Sequence, residues 1–143
     1  MLIKDEFLRA AIARTLQLKE EEIDEKAMER LVSLSARSAG IISLEGLDTA
    51  VNLQYLDLCG NSIEDLDPIK DLREVEYLNL SKNMLRDIQA LRGYRQLLRL
   101  DISRNNLYTM DISAIAGMIN LEELNLERSK VDNLVYLENA KKL

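Results

Sequence analysis

A 22-residue repeat constrains this chain more than anything else in it. Apolar residues fall at Leu53, Leu56 and Leu58, an asparagine follows at Asn61, and the run continues through Ile63, Leu66, Ile69 and Leu72. The same order returns as Val75, Leu78, Leu80, Asn83, Leu85, Ile88 and Leu91, then as Leu97, Leu100, Ile102, Asn105, Leu107 and Met110. A fainter copy precedes these, with Leu31, Leu34, Ala36, Ala39, Ile41, Leu44 and Leu47. Another follows, with Leu121, Leu124, Leu126, Ser129, Val131, Leu134 and Leu137. The expected organisation is a single domain with a helical cap over residues 1–30 and five units over 31–143, starting near 31, 53, 75, 97 and 121. One such unit cannot bury its own apolar face, so the units must stack.

Within a unit, Leu56-Asp57-Leu58 alternates as a strand does, which puts the two leucines on one face and Asp57 on the other. The threefold spacing of Ile63, Leu66, Ile69 and Leu72 suits 3₁₀ or turn geometry, where residues three apart align. Asp67-Pro68 fits a turn there, because proline fixes its own φ and restrains the residue before it. Bending the chain inward between these segments leaves buried peptide groups out of reach of water and of the sheet, each orphan costing about 1–3 kcal/mol. An amide both donates and accepts, so Asn61, Asn83 and Asn105 are expected to form a structural ladder up the core.

Composition removes several function classes. The 143 residues, 47% of them apolar, support one core. No apolar run approaches the roughly 18 residues of a membrane-spanning helix, and MLIKDEF carries charge too early for a secretory apolar region, so a soluble chain without membrane insertion is expected. A net charge of -6 with no long basic stripe opposes nucleic acid. There is no histidine, the usual general base and commonest metal ligand, and one cysteine, Cys59, so neither a zinc site nor an internal disulfide can form. Acidic pairs such as Asp65 and Asp67 lack a recognisable catalytic partner or a phosphate-cradling loop. The chain is expected to be no enzyme, with no catalytic residue, metal or cofactor.

The unit L-x-x-L-x-L-x-x-N-x-L resembles the leucine-rich repeat family, and its evenly spaced tail resembles that family's short 22-residue class. The resemblance implies an α/β solenoid, a right-handed horseshoe segment with a parallel concave sheet, a convex side of 3₁₀ turns and an α-helical amino-terminal cap. Phe7, Leu8, Ala11, Ile12, Thr15 and Leu16 form a stripe at helical spacing, and a second helix is expected from near Asp24, turning Ala27, Met28 and Leu31 inward. The acidic LKEEEID between them reads as a solvated loop and helix start. F-L-x-x-A-I at Phe7–Ile12, I-D-x-x-A-M-x-x-L at Ile23–Leu31 and GIISLEGLDTAVNL at Gly40–Leu53 are similar to the cap and first repeat of bacterial internalin-like proteins. That resemblance implies a protein-binding module, often displayed on a bacterial surface. A secreted or cell-surface location is then expected if the chain is a fragment, and a cytoplasmic one otherwise.

The carboxyl end departs from the period. Leu97 to Leu121 is a step of 24 residues, and Ser129 replaces the ladder asparagine. MDISAIAGM is expected to bulge on the convex side as a short helix capped by Asp111 or Ser113, with Ile112, Ile115 and Met118 facing the core. Leu134, Leu137, Ala140 and Leu143 then run three apart. They fold over the last unit, continue a longer array, or mediate self-association through an open end.

Between the leucines, each strand presents outward residues in columns about 4.8 Å apart. One column is Ser33, Tyr55, Tyr77, Arg99 and Glu123, the next Ser35, Asp57, Asn79, Asp101 and Asn125, and the third Arg37, Cys59, Ser81, Ser103 and Glu127. Tyrosine and arginine are enriched among residues that carry interface energy. The expected partner-binding set is therefore Tyr55, Asp57, Tyr77, Asn79, Arg99, Asp101, Glu123 and Asn125. The alternation of aspartate and asparagine also avoids adjacent carboxylates. Cys59 is expected to be partly exposed, and Lys82, Arg104 and Arg128 to form a solvated rim, with a docking edge for an acidic partner as the alternative. The leading reading is a non-catalytic module binding a protein or peptide on the concave sheet; the alternative is an intracellular scaffold or enzyme-regulatory subunit.

Overall fold

Three-residue strands, one per repeat, set the architecture. In the computed structural model, which describes residues 1–105, 109–131 and 133–143, they are β1 (Ser33–Ser35), β2 (Tyr55–Asp57), β3 (Tyr77–Asn79), β4 (Arg99–Asp101) and β6 (Glu123–Asn125). They form one parallel sheet in the order β1-β2-β3-β4-β6. Leu34, Leu56, Leu78, Leu100 and Leu124 share one register position, and the first four are buried. Leu107, expected in the fourth unit's motif, lies outside the described residues. The chain is a leucine-rich repeat solenoid.

The return side is built from 3₁₀ segments at Leu47–Thr49, Asp67–Ile69, Gln89–Leu91, Ser113–Gly117 and Val135–Leu137. Pro68 sits in the second of them, where its fixed φ suits the first turn. Asp65, Asp87, Asp111 and Asn133 each precede a segment and accept the backbone N–H two residues on, at 2.8–3.0 Å. These local side-chain turns start four of the segments, and at Asp111 the preceding coil's Gln89 adds hydrogen bonds to Asp111 Oδ2 and Ser113 Oγ. The fourth segment spans five residues where the others span three, which absorbs the two extra residues of the longer step. The helix expected there is thus a 3₁₀ helix. Ile112, Ile115 and Met118 are buried beneath it, and β5 (Thr109–Met110) pairs with β7 (Lys130–Val131) beside it.

Between strand and return, the asparagines reach across coils. Asn83 Nδ2 donates to the carbonyls of Leu58 at 3.0 Å and of Leu80 and Ser81 at 3.1 Å, while its Oδ1 accepts from Ile63 N–H at 3.0 Å. Asn105 repeats the arrangement on Leu80, Ile102, Ser103 and Leu85. Asn61 bonds Leu58 and, in the preceding coil, Ala36, Ala39 and Ile41. Ser129 is shorter and, among the described residues, makes one such bond, from its hydroxyl to Ile102 O at 2.7 Å.

Helix α1 (Glu6–Leu16) closes the first coil with Leu8, Ala11, Ile12, Ala13 and Leu16. Two residues of the expected stripe differ: Thr15 is exposed, and Phe7 is half-exposed, lying over Gly40. Phe7 sits in the first turn of the helix, one residue after Glu6 opens it. Helix α2 (Glu25–Met28) is a single turn capped by Asp24, which accepts from Ala27 N–H at 2.7 Å, and it buries Ala27 and Met28. Among the described residues no helix is long and apolar enough to cross a membrane.

Asp5 ties this cap to the solenoid. One carboxylate oxygen accepts from Phe7 and Leu8 N–H at 3.0 Å, and the other from Ile42 N–H at 2.9 Å and Ser43 N–H at 3.1 Å. Partial burial pushes the carboxyl pKa up, but the four N–H donors outweigh it, and the net direction is downward. A group whose folded pKa is lowered contributes stability above its unfolded value near 3.9 and loses it as pH falls through the folded one. Asp5→Asn keeps one acceptor oxygen and sets an amide donor against the remaining N–H groups. It is expected to cost about 1–2 kcal/mol at pH 7, with the difference from wild type narrowing below about pH 4 in urea titrations.

Candidate functional site

Parallel register places the outward residues of successive strands side by side: Tyr55 beside Tyr77, Tyr77 beside Arg99, Arg99 beside Glu123. The Tyr55 and Tyr77 rings stack with centroids 4.3 Å apart and planes within 6°. Tyr55 is 37% exposed and Tyr77 half-buried. Burial, then the neighbouring Tyr77, pushes the Tyr55 phenol up. Arg99 Nε lies 3.3 Å from Glu123 Oε1, and a shallow cleft opens between Tyr77, Arg99, Asp101, Glu123 and Asn125. The column thus runs from small Ser33 through an aromatic pair to an exposed ion pair.

The second column behaves differently. Asp57 Oδ1 accepts from Cys59 N–H, Asn79 Oδ1 from Ser81 N–H, Asp101 Oδ1 from Ser103 N–H and Asn125 Oδ1 from Glu127 N–H, at 2.9–3.0 Å throughout. These residues form the turn that ends each strand. Asn125 Nδ2 also donates to Asp101 Oδ2 at 3.2 Å, a bond that two facing carboxylates could not make. Asp57 and Asn79 are buried, so two residues of the sequence-derived binding set offer little to a partner. Asp101 is half-buried, while Glu123 and Asn125 are exposed.

Arg37 closes this column at its first coil, with Nη1 2.7 Å from Asp57 Oδ2 and Nη2 3.7 Å from Cys59 Sγ. Its hydrogen bond to Asp57, then the aspartate's charge, raises the guanidinium pKa still further. Cys59, expected to be partly exposed, is buried beneath it. Strand spacing puts Arg37 beside Cys59 but does not reveal that its long side chain crosses diagonally to the neighbouring coil's carboxylate. Among the described residues no cluster of histidine, cysteine, aspartate or glutamate could hold a metal ion.

Beyond the strands, Ser38, Gly60, Lys82, Arg104 and Arg128 all have positive φ, between 49° and 77°. Each coil therefore turns out of the sheet through a left-handed residue. Their N–H groups keep the coils in step, with Gly60 donating to Ser81 O, Lys82 to Ser103 O and Arg104 to Glu127 O at 2.8–3.0 Å.

Residues 51–107 match the leucine-rich repeat family model. Among solved structures, an internalin (inlF) from Listeria monocytogenes superposes with a TM-score of 0.93 at 28% identity, over 99% of this chain and 42% of that one. An internalin C2 from the same organism gives 0.80 at 26% identity, over 99% of this chain and 73% of that one. The functional domain of InlJ from L. monocytogenes, at 18% identity and a TM-score of 0.58, shares the fold. The chain thus spans less than half the length of the first of these and nearly three quarters of the second. No curated protein matches it.

Proposed function

We propose that this chain, an internalin-like leucine-rich repeat protein, is a non-catalytic interaction module that holds a protein or peptide segment across its concave sheet. The observation that carries this reading is the Tyr55–Tyr77 stack. Two large rings stand on the solvent side of a rigid sheet and are held by each other at 4.3 Å. Ordering a flexible side chain on binding costs about 0.5–1.5 kcal/mol, and a stacked pair has already lost much of that freedom. Arg99, Glu123, Asp101 and Asn125 supply polar groups around the rings, as the rim of an interface does. Asp57 and Asn79 serve the scaffold beneath it. The likeness to Listeria internalins supports a place on a bacterial surface.

The test is affinity for an isolated protein partner. Tyr55→Ser, Tyr77→Ser and Arg99→Ala together are expected to weaken binding by at least about 30-fold, the scale of an interface anchor. Thermal unfolding of the same variant should change little, since these side chains lie outside the leucine core. Unchanged affinity would sink the reading.

A further inference from the structure

The basic rim has a property that solvated charges do not require. In coils three, four and five, the left-handed position is filled by Lys82, Arg104 and Arg128, with φ of 54°, 57° and 52°. The left-handed region costs a residue with a Cβ about 1–2 kcal/mol, and glycine avoids that cost, as Gly60 does in the coil before. Three long cations in succession at the one strained position of the coil serve something other than the turn. All three are exposed. Their backbones are held one strand spacing apart by the hydrogen bonds from Lys82 N–H to Ser103 O and from Arg104 N–H to Glu127 O. One acid, Glu127, lies 3.4 Å from Arg104 and 3.7 Å from Arg128. The row is therefore cationic on a chain whose net charge is -6.

The opposite margin of the sheet has the other sign. Glu76 and Glu122, each preceding its strand, are exposed, and Glu123 is exposed beside them. In the third and fifth coils the concave face is thus polarised along the strand direction, with a carboxylate before the strand and a cation after it, while in the fourth Arg99 opens the strand and pairs with Glu123. Tyr77 and Lys82 lie in one coil five residues apart, at most about 17 Å at 3.3 Å per residue, so an extended segment of about six residues spans both.

Building on the concave-face reading, we propose that the partner segment is an acidic peptide: an apolar or aromatic residue seats on Tyr55 and Tyr77, and the acidic stretch lies along Lys82, Arg104 and Arg128. A short peptide feels the local field within a Debye length of about 8 Å. A long polyanion, such as nucleic acid or an anionic membrane, also meets the surplus of carboxylates elsewhere on the surface, which disfavours it.

The test uses a random dodecapeptide library displayed on phage and selected in parallel on the full wild-type chain, on Lys82→Gly/Arg104→Gly/Arg128→Gly, and on Tyr55→Ser/Tyr77→Ser. Glycine suits positive φ, so the first variant is expected to unfold at or near the wild-type temperature, and loss of binding cannot be ascribed to misfolding. Wild type is expected to enrich acidic sequences bearing an apolar anchor. Peptides made from those sequences should bind the glycine variant at least about ten-fold more weakly, an advantage that fades in half-molar salt. Lys82→Arg should keep the preference. No enrichment, enrichment without an acidic bias, or acidic peptides that bind the glycine variant equally would overturn the proposal. So would single-stranded RNA or phosphatidylserine vesicles that bind wild type more tightly than the enriched peptides and lose binding in the glycine variant. If the acidic preference holds while the tyrosine variant binds equally well, the aromatic anchor is wrong and both this proposal and the concave-face reading fall. If the tyrosines matter and the cations do not, only this proposal falls.

Discussion

Asn83→Ala is expected to lower the unfolding free energy by about 3–4 kcal/mol, read as a fall in the urea midpoint. The substitution deletes four hydrogen bonds within a buried bend. Three of the partners keep another donor: Leu58 O keeps Asn61, Leu80 O keeps Asn105 and Ser81 O keeps Gly60 N–H. Each of those losses costs about 0.5–1 kcal/mol. Ile63 N–H instead loses its acceptor inside the core, for which about 1–3 kcal/mol is the usual penalty. Ser129→Ala at the last coil removes one bond among the described residues and should cost about 1 kcal/mol, less than Asn83→Ala. Equal effects at the two positions would contradict the ladder as the source of the difference.

Tyr94→Ala is expected to cost about 3–5 kcal/mol, the range for emptying a large aromatic site in a close-packed core. Tyr94 is fully buried, and its hydroxyl donates to Ile69 O at 2.6 Å. Burial pushes the phenol well above its ordinary pKa, so the ring stays neutral across the range in which the protein folds. Tyr94→Phe keeps the volume and loses the one bond. Ile69 O still accepts from Leu72 N–H at 3.1 Å, which limits the cost to about 1 kcal/mol. Thermal unfolding of both variants separates the contribution of volume from that of the hydroxyl. A larger loss for the phenylalanine variant than for the alanine would refute this assignment.

Tyr94 also shows where the sequence was legible and where it was not. The strands follow from alternation, and the leucine positions from a period that any self-comparison reveals. Reading only aliphatic residues ends the third unit at Leu91, although Tyr94 stands 22 residues after Leu72 and fills the same place. The aromatic residue hid the register because its hydroxyl suggests a surface. On the concave side, alternation assigns Asp57 and Asn79 to solvent, but it cannot see that their side chains fold back onto the next turn's N–H groups. Nor does it see Arg37 reaching over to cover one of them. Side-chain crossings between coils are set by length and charge in three dimensions, and a one-dimensional period carries no record of them. The left-handed residues before each bend were equally hidden, because lysine and arginine are not the residues that such backbone announces.

The amides in the bends reach only one way. Asn61, Asn83, Asn105 and Ser129 each bond the layer behind them, and among the described residues none bonds the layer ahead. Every layer is therefore finished by its successor. On a ribosome, which delivers the helical end first, the growing solenoid advances like a zipper whose teeth engage one unit late, and the most recently emerged turn stays unlocked until the next one arrives.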